Sequence, residues 1–178
     1  MDALQAPCVH RVVAHGLTND LRATESMDRE TFARLVERVK DAQPDTFATL
    51  QELQLIDAPA SHADIEQVEQ ALQAKLPLDY IWFLQQYGGG TFLYADVYSA
   101  QSHSDFYIVK NQLTFSYHAG HSFIAFSENG CGDYYGFQVQ HGVCLPRVMF
   151  SDHETETIKP AAVETVLDYI AVLGLKAK

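Results

Sequence analysis

Basic residues are scarce in this chain: 12 Lys and Arg stand against 23 Asp and Glu, giving a formal charge of -11 over 178 residues. A field of that sign repels phosphate backbones, which argues against direct nucleic-acid binding and leaves cations or basic proteins as expected partners. Cysteine is scarce too. Cys8, Cys131 and Cys144 cannot all pair within the chain and no C-x-x-C occurs, so neither a disulfide scaffold nor a paired-cysteine metal site is indicated. A reducing cytoplasm is the simplest setting. No run approaches the ~20 apolar residues of a membrane helix, and the opening MDALQAPCVHRVVAHG lacks the apolar stretch of a secretory signal. What is present suffices for one domain with its own core, since 47% of residues are hydrophobic and 20% charged.

Recognisable catalytic motifs are also missing: there is no H-E-x-x-H and no nucleophile elbow. Two glycine clusters raise the question of nucleotide chemistry. In LPLDYIWFLQQYGGG (76–90) a phosphate loop would need Lys and Ser or Thr after the glycines and a helix beyond them. Here the apolar helix comes first and TFLYADVYS, a strand pattern, follows. Gly88 therefore reads as the left-handed stop of a helix, with Gly89 and Gly90 permitting a close reversal. In ENGCGDYYGF (128–137) the third glycine is displaced from the dinucleotide fingerprint and the segment leads into a strand, so Asn129-Gly130 reads as a hairpin turn. Cys131 would be a nucleophile only if His118 or His121 reached it. Those two histidines, with His103, Asp133 or His153, make a conceivable zinc set, but incidental surface histidines explain them better. The expectation is no enzyme, no cofactor and no metal.

Periodicity predicts helices from Asp28 (Phe32, Leu35, Val36, Val39) to Pro44, around Phe47 to Leu53, from the Ser61–Asp64 capping box through Ile65, Val68 and Leu72, and over Tyr80 to Tyr87. Strand patterns follow in TFLYADVYS, DFYIVKN, SFIAFS, YYGFQVQ and GVCLPRVMF, then a closing helix from about Pro160. Helices, then strands, then a helix is an α+β order. Residues 1–27 read as an extension and 28–178 as a single domain. Acidic residues concentrate in SDHETET, where Asp152, Glu154 and Glu156 form a comb if extended, or a solvated loop between the last strand and the last helix. Asp96 and Asp105 flank YADVYSAQSHSD and extend the same field.

The run IEQVEQALQAKLPLDYIWFLQQYGGG resembles the signature of the SUKH superfamily, through Ile65, Glu69, Leu72, Leu76, Pro77, Asp79, Tyr80, Phe83, Leu84 and Gly88 to Gly90. GCGDYYGFQV, with Gly132 and Asp133 opening a strand, and the closing apolar helix are similar to the family's second half. The resemblance spans roughly residues 28 to 178 and departs from the pattern at Gly88, where the family often has Asn. It implies several helices packed around a mixed, mainly antiparallel sheet of about six strands. It also implies a function, since many bacterial members are immunity proteins that bind a toxin, frequently a nuclease, while others are scaffolds in cell-wall and stress signalling. The family's shared residues are mainly structural, so no catalytic position carries over. Tyr94, Asp96, Tyr98, Asp105, Asp152, Glu154 and Glu156 are then the candidates for a face that meets a basic protein partner.

Overall fold

A computed structural model describes residues 26–112 and 122–176. Cys8, His118 and His121, and all but the last two residues of the 1–27 extension, lie outside them. Met27 is already part of the packed domain: its N–H donates to Asp168 Oδ1 at 3.0 Å and its side chain lies against the core.

The helices form where the pattern places them. α1 (Arg29–Ala42) starts on Asp28, whose carboxylate accepts the Thr31 N–H at 2.8 Å, and it buries Phe32, Leu35 and Val36. Pro44 opens α2 (Pro44–Glu52) in the first turn, where a missing N–H costs nothing. α3 (His62–Leu72) begins with the full capping box, Ser61 and Asp64 each accepting the other's backbone N–H. Ser61→Ala should lower stability by about 1 kcal/mol, read as a urea midpoint shift at unchanged slope. A shift near zero would mean the box is not holding the helix start. α4 (Leu78–Tyr87) buries Tyr80, Phe83 and Leu84.

The three glycines after α4 serve the backbone. Gly88 has φ +76 and a Cβ there would stand 2.0 Å from the Asp57 carbonyl oxygen. The chain at 88–91 runs against residues 55–57, with Asp57 N–H donating to Gly89 C=O at 2.9 Å and Thr91 N–H to Leu55 C=O at 2.7 Å. The N–H groups of Gly88 and Thr91, the donors a phosphate would need, are engaged with the protein's own main chain, at Leu84 C=O and Leu55 C=O.

β1 (Gly90–Phe92) and β2 (Ala95–Val97) form a hairpin, and β3 (Phe123–Glu128), β4 (Tyr134–Gln140), β5 (Val143–Asp152) and β6 (Thr157–Pro160) form an antiparallel meander. Tyr98 N–H donates to Phe126 C=O at 2.7 Å, which lays the β2 end beside β3 and joins the two sheets into one surface. Pro146 is tolerated in β5 because the register slips there, Phe137 facing Val148 and Val139 facing Cys144. α5 (Val166–Tyr169), capped by Thr165 and Asp168, runs into a π-turn (Ile170–Gly174) that packs back on the sheet. The core between helices and sheet is aromatic: Phe126 stacks on Phe137 at 4.8 Å and meets Tyr169 edge-on at 5.0 Å, while Tyr80 lies over both phenyl rings at 5.8 and 5.5 Å. Tyr80 is fully buried and its hydroxyl donates to Tyr98 C=O at 2.7 Å, so the polar tip is satisfied.

Two sequence expectations give way. DFYIVKN is not a strand: only Tyr107 bridges Ser99, and residues 108–112 are helical. Ser104 and Asn111 satisfy the local backbone, the hydroxyl accepting from Phe106 N–H at 3.0 Å and the amide donating to Asp105 C=O at 2.9 Å. The closing helix does not begin near Pro160. That stretch is β6, continued by Ala161 N–H to Val148 C=O at 3.0 Å, and the helix waits for the Thr165 cap.

Candidate functional site

Topology gathers three turns at one end of the sheet. Successive strands are antiparallel, so the turns at residues 93–94, 129–133 and 153–156 fall together and the turn at residues 141–142 lies at the opposite end. The hydroxyl of Ser127 donates to Asp96 C=O, which fixes the first turn beside the second.

In the first turn Leu93 takes φ +54 and stays half-buried, leaving Tyr94 59% exposed. The turn is fastened by Tyr94 N–H to Gly174 C=O at 3.2 Å. Asp96 Oδ1 accepts the Thr91 hydroxyl at 2.7 Å, so this half-buried carboxylate is held in place. With Glu128, exposed at the end of β3, and Asn129 it lines a pocket of about 280 Å³ beneath Tyr94. Burial, with Glu128 close by, holds the Tyr98 phenol well above its ordinary value.

The second and third turns are locked together. Asn129 Oδ1 accepts the N–H groups of Cys131 and Asp133 at 2.9 and 3.1 Å, and its Nδ2 donates to Asp133 Oδ2 at 2.8 Å. Asp133 Oδ1 in turn pairs with His153 Nδ1 at 2.7 Å. Asp133 feels burial, which raises its pKa, but the His153 and Asn129 hydrogen bonds prevail and leave it below the usual carboxylate range. The Asp133 hydrogen bond raises His153 above the ordinary 6.5. The imidazolium contribution is therefore complete below about pH 6.5 and is lost as pH rises through the raised folded value. The carboxylate contribution is complete above its unfolded pKa and lost as pH falls through the lowered folded one. An NMR titration of the His153 ring should give a midpoint above 6.5 that drops in Asp133→Asn; a midpoint at or below 6.5 would show the pair is not formed in solution.

Asp152 Oδ1 accepts the N–H groups of Glu154 and Thr155, both at 3.1 Å, and these bonds curl SDHETET into a tight turn between β5 and β6. The extended comb therefore does not form. The segment is also not a loop into the last helix, because β6 intervenes. Glu154 and Glu156 lie in the turn and are exposed.

Of the predicted residues, Tyr94, Asp96, Asp152, Glu154 and Glu156 share this end of the sheet. Tyr98 does not serve as a surface anchor: it is 3% exposed, because the alternation of β2 ends at Val97 and residues 97–100 run buried between β3, where Tyr98 N–H meets Phe126 C=O, and the segment that starts at Phe106. Asp105 is exposed but elsewhere, paired with Lys110 Nζ at 2.9 Å on a separate groove of about 580 Å³ between residues 53–58 and 103–106. In that groove Asp57 Oδ2 is buried with no hydrogen-bond partner among the described residues. His103 lines the same groove, remote in the topology from the Asp133–His153 pair. Among the described residues no group of three metal-capable side chains forms. Cys131 is disulfide-bonded, and His118 and His121, the two histidines that would have to reach it, lie outside the described residues. Glu128 was not singled out from sequence, Asn129 only as a turn residue, and Lys176, whose Nζ stands over the Tyr94 ring, not at all. Glu128 carried a signal, an acid at an outward strand position directly before Asn-Gly.

The signature stretch does structural work. Ile65, Leu76, Tyr80, Phe83 and Leu84 are core residues, and Glu69, 9% exposed, accepts the buried Leu76 N–H at 3.0 Å and pairs with Lys75 at 2.6 Å. The family model that matches is SUKH_6, described as SMI1-KNR4 cell-wall, and it spans residues 62–170, more than half of the chain. The chain belongs to this SUKH family. No curated protein matches it. In this SUKH domain the matched span runs from α3 to the start of the π-turn, so it includes all three turns of the acidic end. Among the described residues no helix is long and apolar enough to cross a membrane.

Proposed function

We propose that this SUKH domain is a non-enzymatic binding protein of the immunity type, neutralising a cognate basic toxin, such as a nuclease, by stoichiometric docking on the acidic turn end. The observation that carries the reading is the collection of Asp96, Glu128, Asp152, Glu154 and Glu156, with an exposed Tyr94, at one end of the sheet on three cross-braced turns. A nuclease must present positive charge to phosphates, and an acidic surface that covers that region both steers association and blocks substrate. An aromatic within an acidic rim is the composition of an interface anchor. The reading implies a cytoplasmic protein; there thiols are kept reduced, and the Cys131 disulfide would be open.

A second reading, an intracellular regulatory or scaffold module, is favoured by the cell-wall description of the matching family. Co-expression with the product of the neighbouring gene separates them. The immunity reading expects a one-to-one complex and loss of that product's toxicity at equimolar ratio. No complex at stoichiometric yield moves the function to the scaffold reading.

A further inference from the structure

We propose that the pocket beneath Tyr94 is a receptor for one basic side chain of the partner, an arginine or lysine, and that Lys176 occupies its aromatic lip in the free protein. The inference rests on the docking reading above and names the chemistry of its central contact.

Three observations converge. The pocket of about 280 Å³ has acids and, among the described residues, no base in its lining: Asp96 and Glu128 face it with the amide of Asn129, beside Leu93 and Thr91. Two of the polar lining groups are also held in place before any ligand arrives, Asp96 by the Thr91 hydroxyl at 2.7 Å and Asn129 by Asp133 at 2.8 Å. A fixed carboxylate needs no reordering when a cation enters, which favours binding. The third observation is the cation already at the lip: Lys176 Nζ stands 3.5 Å from the Tyr94 ring centroid, against 5.5 to 5.8 Å for the other cation–π contacts among the described residues. The exposed ring face thus accepts an ammonium in the unbound chain. Lys176 follows the π-turn whose Gly174 carbonyl accepts the Tyr94 N–H, so the tether is short and its position on the ring is set by the fold. A guanidinium entering the pocket would lay its plane on the Tyr94 face, direct its N–H groups to Asp96 and Glu128, and displace Lys176 to solvent.

The probe is N-acetyl-arginine methylamide, titrated into the full chain and followed by backbone amide shifts, with N-acetyl-citrulline methylamide as the neutral isostere. The arginine probe should move the amides of residues 93–96 and 128–130, and the citrulline probe should not. Lys176→Gln should tighten arginine binding about two- to tenfold by removing the internal competitor, and Tyr94→Leu should weaken it by a similar factor. Shifts that citrulline reproduces, or that fall on residues 53–58 and 103–106 instead, would overturn the proposal. So would Lys176→Gln leaving the affinity unchanged or lower. Both substitutions are at exposed positions, and unchanged far-ultraviolet dichroism confirms that the fold persists. The outcome is independent of the co-expression result: arginine binding without a toxin complex sinks the immunity reading alone. A toxin complex that is indifferent to Tyr94 and Lys176 sinks this contact alone.

Discussion

Gly90→Ala should lower stability by about 3–5 kcal/mol, enough to leave a marginal domain largely unfolded. Gly90 has φ +107, a region in which an L side chain is strained whatever the space around it. The space is also absent, since a Cβ would stand 2.1 Å from the Leu55 carbonyl oxygen and 3.0 Å from Ile56 Cα. Those neighbours are backbone, and moving them breaks the bond from Thr91 N–H to Leu55 C=O and the bridge between Ile56 and Gly90. Strain and displacement therefore add. Gly130→Ala is the matched control: its φ of +72 is strained as well, but nothing lies within 4 Å of the added carbon. The control should lose only about 1 kcal/mol. Equal urea midpoints for the two variants would mean that close packing at 88–91 is not what fixes the glycine run.

That comparison shows why the fold was largely legible in the sequence. The order of helix, triple glycine and strand excludes a phosphate loop without coordinates, because the main-chain demands of a reversal and of a phosphate cradle require opposite orders of elements. Local signals of the same kind, the Ser61–Asp64 box and the Asn129-Gly130 turn, read correctly because each is satisfied within a few residues. The strand from Thr157 was missed for the opposite reason. TIKP has neither alternation nor buried residues, and it is a strand only because β5 supplies its hydrogen-bond partners. Thr165-x-x-Asp168, a helix start in plain view, lay a few residues beyond the proline that drew the boundary too early.

The acidic end was legible as a composition but not as a place. Asp96 and Asp152 are more than fifty residues apart, and only the alternation of four antiparallel strands brings their turns to one end. Tyr98 and Asp105 sit within the same stretch as Tyr94 and Asp96, yet the first is buried where the chain leaves β2 against β3 and the second is carried to another groove. Glu69 shows the converse. Sequence marks it as the central acid of the signature, and its carboxylate is spent on the Leu76 amide and Lys75 within its own connection.

Reversing Glu128, Glu154 and Glu156 to lysine together should slow association with a basic partner about 10- to 100-fold at low salt and flatten the dependence of the rate on ionic strength. All three are exposed, so the fold loses little. Steering depends on where the field is, not only on its sum, because charges beyond a Debye length of about 8 Å at physiological salt are largely screened. The informative control is therefore Asp41, Asp45 and Glu52 reversed together: equally exposed, carried on α1 and α2, and altering the net charge of -11 by the same amount. The turn-end variant should lose most of the rate at low salt, the gap narrowing as salt rises until the two variants and the parent converge at the screened limit. The control should stay within about threefold of the parent. Equal slowing by both variants would reduce the effect to total charge and remove the turn end as the docking face. An unchanged salt slope in the turn-end variant would remove electrostatic steering altogether, leaving Tyr94 and its pocket to account for recognition through contact alone.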